Sequence, residues 1–349
     1  MNAIRSARRA AGARPLRSAC PLCGHGSGVT VHDRDGKSGR PLEVVGCGAC
    51  GFVRTDPLPA PGALAAWYAG HYRTDYKGVA RPRLRHVWRA AGHALDRLAF
   101  AAPFVRPGAR TLDVGAGGGE FVALLARQGF DAHGVEPDDG YAGFARQTYG
   151  VDVRTGTIDA LPEGADWELV TLFHVLEHLA DPVVALERLR RRLAPGGTLV
   201  IEVPNVEHLR CAPSNLFFAA HVHYFSGRTL ARAAALAGLE PVSPWPPARS
   251  PNLRVAFRAA TLPSRRPASA NPGIGEAALR RALSAQSMRT WGRYLSPARA
   301  LPRLAARWRR WRTEATLERR FADAAAVLEH RYGASPPRAT PARPAPRTA

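Results

Sequence analysis

The chain has 349 residues, of which 46% are hydrophobic and 22% charged, an ordinary balance for a globular protein large enough for two domains. No stretch approaches about 18 uninterrupted apolar residues, which excludes a membrane-spanning helix. Residues 1–19 are rich in Arg and lack the apolar core of a secretory signal. We therefore expect a disordered basic tail there, with a transit-like segment as the alternative.

The formal net charge is +21, and most of the excess lies near the C-terminus. Residues 261–349 carry 18 basic and 5 acidic side chains, whereas residues 61–260 carry 22 and 19. A basic protein invites a nucleic-acid interpretation. However, only two of the 49 basic residues are Lys, and heavy use of Arg, Ala, Pro and Gly can arise from codon bias. We therefore give the charge little weight as an indication of nucleic-acid binding.

Four of the five cysteines form two Cys-x-x-Cys pairs, Cys20 with Cys23 and Cys47 with Cys50, separated by 23 residues. A glycine follows the second Cys of each pair and permits a tight turn. Four thiolates suit tetrahedral Zn²⁺ in a closed structural site, so we predict a zinc ribbon over residues 20–56. The alternative is a set of reduced thiols. Either interpretation implies a reducing compartment, and we expect a cytoplasmic protein.

The connector over residues 62–104 combines aromatic residues with an amphipathic pattern. Tyr68, Tyr72 and Tyr76 follow one another at four-residue spacing, and residues 83–102 predict a helix. The tyrosines are interpreted either as a lid over an acceptor pocket or as packing that docks a helix on the core.

From residue 110 the pattern alternates between strands and helices. The predicted strands are 110–114, 132–135, 151–154, 169–173, 198–203 and 253–259. The predicted helices are one that follows a glycine-rich turn and extends through residue 128, then 140–149, 182–193 and 227–237, with a turn at 195–197. Repeated strand–helix units predict an α/β fold with a doubly wound, mostly parallel sheet over residues 105–260. After a linker at 262–274, we expect a helical extension over 275–332 and a disordered tail over 333–349.

A glycine-rich turn follows the first of these strands, in the sequence from Leu112 to Phe121. Glycines at 115, 117 and 119 let a ligand approach the backbone closely. A dinucleotide fingerprint would need a glycine at position 120, where the chain has Glu120. A carboxylate there repels a pyrophosphate, whereas Asp113 suits a ligand that carries an ammonium group.

An acidic residue, Glu136, ends the second strand 21 residues after Gly115. In that position it can accept hydrogen bonds from two ribose hydroxyls. On its own it would equally suit an exposed loop, but its register with the glycine turn favours the binding role.

Two further motifs are Phe173–Pro182, after the fourth strand, and Leu193–Leu199, which leads into the fifth. With the glycine turn and Glu136, they occur in the order and spacing of a known enzyme family. Over roughly residues 105–260 the chain resembles class I S-adenosylmethionine-dependent methyltransferases, which implies a seven-stranded Rossmann-like sheet. With the preceding ribbon and Tyr-rich helix, and with the segment His221–Ser226, it looks like methyltransferases of glycan, sugar and secondary-metabolite pathways.

The resemblance implies a role for each matching residue toward the cofactor. Gly115 and Gly117 would pack under its methionine part, and Asp113 would hold the amino group. Glu136, followed by Pro137, would bind the ribose. The remaining cofactor contacts implied are Thr157, Ile158 and Asp159 beside the adenine, and Phe173 and His174 near the cofactor at the sheet edge.

The expected chemistry is in-line methyl displacement, for which alignment of the acceptor supplies much of the acceleration. A base helps where the acceptor is a hydroxyl or an acidic carbon. The candidates are His178, His223 and Tyr224, with His221 beside them. Alternatively, Glu177 and His178 cap or hold a loop, and the other three form a pocket wall. Cys211 is expected to be a core or pocket thiol.

The predicted function is methyl transfer from S-adenosylmethionine to a small molecule such as a sugar, glycan or related metabolite. Two alternatives are a nucleic-acid methyltransferase that uses the ribbon and basic tails, and a non-catalytic zinc-containing scaffold. We consider nucleic acid the less favoured partner, since the basic residues lie outside the core. Leu301, Leu304, Trp308 and Trp311 predict a basic amphipathic helix, which packs on its own core or a partner protein, or lies on a membrane surface.

Overall fold

The structure is a computed structural model that describes residues 14–70, 81–161, 166–208, 216–247, 250–261, 292 and 294–333. Its contacts group the chain into two compact units. The first comprises Met1–Leu64, His174–Glu187 and Ile201–Ala305, and the second Ala65–Phe173, Arg188–Val200 and Ala306–Ala349. The predicted residues Tyr72, Tyr76 and Cys211, the linker at 262–274 and the tail from 334 lie outside the described residues.

The strands and helices follow the chain in this order. The strands are β1 Arg14–Pro15, β2 Ser27–Arg34, β3 Pro41–Cys47, β4 Val53–Thr55, β5 Arg110–Val114, β6 Asp131–Glu136, β7 Asp152–Thr155, β8 Trp167–Phe173, β9 Leu193–Pro204, β10 His223–Tyr224, β11 Leu239–Pro241 and β12 Asn252–Ala259. The α-helices are α1 Pro61–Gly70, α2 Leu84–Ala101, α3 Glu120–Arg127, α4 Asp139–Tyr149, α5 Pro182–Arg190, α6 Gly227–Leu236, α7 Pro297–Glu314, α8 Leu317–Arg320 and α9 Ala324–Tyr332. Short 3-10 turns occupy Ala102–Phe104, Ile158–Ala160 and Leu176–His178.

The larger sheet has seven strands in the order β11-β12-β9-β8-β5-β6-β7. Strand β5 pairs in parallel with both β6 and β8, β6 pairs in parallel with β7, and β11 runs antiparallel to β12. The central strands are buried on both faces: Leu169, Val170 and Leu172 of β8 are inaccessible to solvent. Burial on both faces is typical of a parallel sheet covered by helices. The predicted Rossmann-like fold with a seven-stranded, mostly parallel sheet is confirmed.

The helices that follow β5 and β6 begin and end at local signals. Helix α3 begins after Gly119, which has a left-handed conformation with φ of +83°. The carboxylate of Asp138 caps α4 by accepting a hydrogen bond from Tyr141 N at 2.9 Å, and the helix ends at Gly150. These short connections return the chain to the sheet at the next parallel strand.

The first unit contains a second sheet, with five strands in the order β1-β2-β3-β4-β10. Its pairs are antiparallel, and β4 adds β10 at its edge, where Arg54 lies opposite His223. Val44, Val53, Phe217 and Tyr224 belong to one buried cluster beneath it. The region predicted as a zinc ribbon is therefore extended by a strand that lies about 170 residues further along the chain.

The expectation of a disordered tail over residues 1–19 is wrong from Arg14 onward, where the chain forms β1. The reason is the carboxylate of Asp56, which accepts hydrogen bonds from the backbone N–H groups of Arg17 at 2.9 Å and Ser18 at 3.0 Å. The turn expected at 195–197 also differs, because these residues lie within β9, with Gly196 at φ of +74°.

Of residues 275–332, which were expected to form a helical extension, the structure describes 292 and 294–332, and these contain α7, α8 and α9. The carboxylate of Asp323 caps α9 by accepting from Ala326 N at 2.9 Å. Val327 and Leu328 of α9 are buried, and Tyr332 donates its hydroxyl to the carbonyl of Glu120 at 2.6 Å. The division into six segments made from the sequence stays a prediction. Among the described residues, no helix is both long and apolar enough to cross a membrane.

Candidate functional site

The glycine turn after β5 has the conformation that its sequence predicts. Gly115 and Gly117 adopt positive φ values of +75° and +58°. The backbone N–H groups of Gly115 and Ala116 donate to the carbonyl of Val135 at 2.8 and 3.0 Å. A Cβ on Gly119 would lie 2.5 Å from the Cβ of Ala145, so this position also needs glycine for packing. The turn is therefore fixed against the end of β6.

Glu136 connects this turn to the next one. Its side chain is buried, and Oε2 accepts a hydrogen bond from Gly117 N at 2.9 Å while Oε1 accepts from Asp138 N at 3.3 Å. Its backbone carbonyl accepts from Gly156 N at 3.0 Å, just before the 3-10 turn that contains Ile158. One residue therefore ties together the loops that follow β5, β6 and β7.

Asp113 lies in β5, two residues before the turn, and is almost fully buried. Burial raises the pKa of its carboxyl group to about 6, against the effects of the Thr171 hydrogen bond and the Arg97 charge, which lower it. The Thr171 hydroxyl donates to Oδ1 at 2.6 Å. A cation bound beside this carboxylate would offset part of the cost of burying it.

The other residues implied in cofactor binding have simpler surroundings. Phe173 is buried, meets the ring of Phe121 edge-on at 5.1 Å and has the Arg97 guanidinium 4.3 Å from its centroid. Ile158 is buried, while Pro137 and Thr157 are half-buried. The roles of these residues stay predictions.

His174 is the one described residue other than glycine that has a positive φ, at 59°. Its imidazole lies between two carboxylates, with Nδ1 3.2 Å from Glu177 Oε1 and Nε2 3.0 Å from Glu202 Oε1. Burial lowers the pKa of His174, but the two carboxylates outweigh this effect and raise it above its ordinary value. Glu202 also pairs with Arg254. The unusual backbone conformation thus places the imidazole of His174 between two buried carboxylates.

Glu177 is the centre of a histidine cluster within the first unit. Only 1% of its side chain is exposed, and its Oε1 lies 4.0 Å from His178 Nε2 and 3.9 Å from His221 Nε2. Burial would raise the pKa of Glu177, but the hydrogen bond from His174 and the neighbouring histidines lower it to about 2. Among the described residues, none forms a hydrogen bond with its Oε2 atom.

The rings of His178 and His221 meet edge-on, with centroids 4.8 Å apart. His178 donates from Nδ1 to the carbonyl of Ala220 at 2.6 Å, because a carbonyl can only accept. This bond assigns the remaining lone pair of neutral His178 to Nε2. Burial, reinforced by His178, holds the pKa of His221 well below its ordinary value, so His221 is neutral near pH 7.

His223 and Tyr224 lie in β10 and are buried. The His223 ring stacks on Phe52 at 5.3 Å, and burial lowers its pKa to about 4. The Tyr224 hydroxyl accepts from Phe218 N and donates to Phe218 O, both at 3.1 Å, and burial raises its pKa. Their catalytic roles stay predictions, but these contacts favour structural ones.

The hairpin between β2 and β3 holds the segment that leads to His221. The Asp35 carboxylate accepts from Ala219 N at 2.7 Å, and Gly36 N donates to Phe217 O at 2.8 Å. Phe218 in turn packs against the His221 ring with centroids 4.0 Å apart. The region predicted as a zinc ribbon therefore positions one side of the histidine cluster.

The four cysteines predicted as metal ligands come together. The Sγ atoms of Cys20 and Cys50 are 3.6 Å apart, and those of Cys23 and Cys47 are 3.5 Å apart. All four Sγ atoms lie within 4.8 Å of one another. Sulfur ligands of tetrahedral zinc lie about 3.8 Å apart, so the arrangement fits the predicted ion.

Sequence reasoning missed Glu202 and Asp35. The sequence does indicate a special role for Glu202, since it is an acidic residue within the otherwise apolar run from Leu199 to Val203. A charge inside a buried strand requires a partner. Asp35 lies in a Gly- and Asp-rich hairpin, where such residues usually serve the turn alone. Nothing in its local sequence indicates the contact with Ala219.

Residues 83–243 match the family model described as a methyltransferase domain. The chain is 32% identical to the ubiquinone biosynthesis O-methyltransferase of Ruegeria pomeroyi over 152 residues, which cover 41% of this chain and 60% of that protein. It is 33% identical to the enzyme of the same name from Xanthomonas campestris over 133 residues, covering 34% and 56%. The chain thus spans less than two thirds of the length of these relatives.

Solved structures of methyltransferases are also similar to parts of this chain. The 1,6-didemethyltoxoflavin-N1-methyltransferase of Burkholderia thailandensis matches with 21% identity and a TM-score of 0.43, covering 63% of this chain and 96% of that one. The magnesium protoporphyrin IX methyltransferase of Synechocystis matches with 13% identity and a TM-score of 0.43, covering 57% and 99%.

The comparisons support the broader part of the predicted resemblance. The narrower likeness to enzymes of glycan, sugar and secondary-metabolite pathways stays a prediction, as do the zinc ribbon and the roles of single site residues. Residues 83–243 of this chain match a methyltransferase domain, and the seven-stranded, mostly parallel sheet has a Rossmann-like fold.

Proposed function

We propose that this protein transfers the methyl group of S-adenosylmethionine to a hydroxyl oxygen of a small molecule. The observation that carries the proposal is the buried Glu136 carboxylate, which is held against the glycine turn by Gly117 N. The names of the curated relatives support oxygen as the acceptor atom.

The residues around the turn suit this cofactor. The Glu136 carboxylate is positioned to accept hydrogen bonds from ribose hydroxyls, and Asp113 to pair with an ammonium group. The Glu120 side chain fills the space above Gly118, where its Oε1 lies 2.7 Å from the position of an added Cβ. A buried carboxylate at this place disfavours a pyrophosphate, and with it a dinucleotide.

The cofactor, when bound, supplies a methyl group already activated on a sulfonium, so the protein must align the acceptor and remove its proton. We propose that Nε2 of His178 accepts the proton of the acceptor hydroxyl. The hydrogen bond from Nδ1 to the carbonyl of Ala220 fixes the tautomer in which Nε2 carries the lone pair. The ionised Glu177 stabilises the imidazolium that forms. Neutral His221 adds no competing positive charge.

We also propose that Cys20, Cys23, Cys47 and Cys50 hold one structural Zn²⁺. Their spacing supports a four-sulfur site, which leaves no open position for an acceptor. The ion would stabilise the sheet that ends in β10 and the hairpin that holds the segment before His221. Its role is therefore to position residues, not to take part in methyl transfer.

Replacing Glu136 tests the cofactor site directly. We expect Glu136→Ala to weaken binding of S-adenosylhomocysteine by about 10- to 100-fold in calorimetry, because bonds to a charged acceptor are lost. The matched control is Glu168→Gln, which changes a more exposed carboxylate paired with Arg106 in the same unit. Equal affinity in both variants would contradict the assignment.

The pKa of Asp113 predicts a pH dependence of binding. Because this carboxyl is charged only above about pH 6, affinity for S-adenosylhomocysteine should fall about tenfold from pH 7.5 to pH 5. Methylthioadenosine lacks the ammonium group and should bind equally at both pH values. Asp113→Asn should abolish the dependence. If methylthioadenosine shows the same fall as S-adenosylhomocysteine, Asp113 does not pair with the amino group.

Replacing His178 tests the base. His178→Gln should lower kcat by about 100-fold or more while the affinity for S-adenosylhomocysteine stays unchanged. The assay measures methyl transfer to phenols, catechols and nucleotide sugars, which also separates these acceptor classes. The control is His133→Gln, which replaces a histidine of β6 that contacts the carboxylate of Asp131. Full activity of His178→Gln would exclude His178 as the base, and cofactor binding without turnover on any acceptor would favour a non-catalytic scaffold.

Metal analysis tests the zinc site. We expect about one zinc per chain in the wild-type protein and in Cys211→Ser, and loss of the metal in Cys20→Ser. Removal of the ion by a chelator should lower the thermal midpoint by about 5–10 °C, since metal binding contributes to folding. A metal-free protein with an unchanged midpoint would show that the four thiols need no ion.

A further inference from the structure

Helix α7, Pro297–Glu314, differs from the other long helices because none of its residues, all of which the structure describes, is buried. Four large apolar side chains on it are more than half exposed: Leu301 at 64%, Leu304 at 60%, Trp308 at 56% and Trp311 at 64%. Most of the stability of a helix in a protein comes from packing of its apolar face. The apolar residues of α7 therefore lack the packing that usually stabilises a helix.

These four side chains form one continuous stripe. At 100° per residue they fall within an arc of about 80° on the helix surface. The two helices that follow differ, because Leu317 of α8 and Val327 of α9 are buried. The exposure of the stripe is thus a property of α7 and not of the whole C-terminal region described by the structure.

The charge around the stripe is almost entirely positive. Helix α7 contains six arginines and one acidic residue, Glu314, which pairs with Arg89. By helical geometry, Arg307 and Arg312 flank the stripe on its two sides. The Arg312 guanidinium lies 4.7 Å from the centroid of the Trp308 ring. Apolar and cationic groups therefore share one surface.

We propose that α7 binds the surface of a membrane that contains anionic phospholipids and lies parallel to it. Trp and Leu side chains would enter the boundary between headgroups and acyl chains, while Arg307 and Arg312 would reach the phosphates. The positive charge of α7 favours an anionic membrane as the binding partner. If two copies of the chain paired through α7, the arginines of one helix would lie against those of the other, and repulsion between like charges would disfavour the pair.

The binding mode follows from the composition of the helix. Its six arginines disfavour insertion of the helix across the bilayer. Its length of about 27 Å suits an orientation in the plane of the interface. Binding through α7 would hold the protein at the membrane surface.

The test is co-sedimentation of the full-length, zinc-loaded protein with vesicles. One set contains phosphatidylcholine alone and the other three parts phosphatidylcholine to one part phosphatidylglycerol, at about 0.15 M salt. We expect the partition coefficient to be at least about tenfold higher on the anionic vesicles. It should decrease about fivefold for each of Arg307→Gln and Arg312→Gln.

The variant Trp308→Ala/Trp311→Ala should lose about tenfold or more of its partitioning onto anionic vesicles. The matched control is Trp245→Ala, which removes a tryptophan that is 37% exposed outside α7. Thermal unfolding of each variant by circular dichroism shows that the fold is retained, as expected for exposed positions.

Three results would overturn the proposal: no binding to anionic vesicles, equal binding to both vesicle types, or unchanged binding of Trp308→Ala/Trp311→Ala. A dimer in light scattering that the tryptophan variant abolishes, without vesicle binding, would assign the stripe to a second copy instead. Binding to polyglutamate without binding to vesicles would assign it to an acidic protein.

Discussion

The hydrogen bond from Gly117 N to the buried Glu136 carboxylate is the contact on which the candidate cofactor site depends. It fixes the glycine turn after β5 to the end of β6. The backbone carbonyl of Glu136 accepts a hydrogen bond from Gly156 N, which lies after β7. Three loops at the carboxyl ends of neighbouring parallel strands therefore have one common point of attachment. Open α/β sheets bind ligands at this edge, and here a buried carboxylate holds the loops of that edge together.

Buried charge also organises the histidine cluster. Glu177 and Glu202 share His174 between them, and Arg254 compensates Glu202 further. A buried carboxylate without such partners would become neutral at ordinary pH. With them, Glu177 stays ionised and can stabilise positive charge on His178. The positive φ of His174 serves this arrangement, because it aims one imidazole at both carboxylates.

The local parts of the fold could be predicted from the sequence. Strand β5 has the predicted bounds, and most of the other elements predicted over residues 110–259 lie within a few residues of their predicted limits, because alternation and glycine signals are local. Strand β9 begins five residues before its predicted start, and β10 and β11 were not predicted. The fold class is likewise confirmed, and residues 83–243 match a methyltransferase domain. The cysteine geometry fits the predicted ligands, since two paired motifs need only one hairpin to meet.

What the sequence could not show depends on contacts between distant residues. Strand β10 pairs with β4 across about 170 residues, and Asp35 reaches Ala219 across 184 residues. The ordered segment from Arg14 depends on the carboxylate of Asp56, which has no local signature. Burial of His223 and Tyr224 accompanies the same long-range pairing, and no local pattern in the sequence indicates it.

The central claim is that the loops joined by Glu136 bind S-adenosylmethionine and not a dinucleotide. Isothermal titration of the intact, zinc-loaded protein with S-adenosylhomocysteine and, separately, with NAD tests it most directly. The account predicts saturable binding of S-adenosylhomocysteine at one site per chain and no heat of binding with NAD. Binding of NAD, or no binding of S-adenosylhomocysteine, would contradict it.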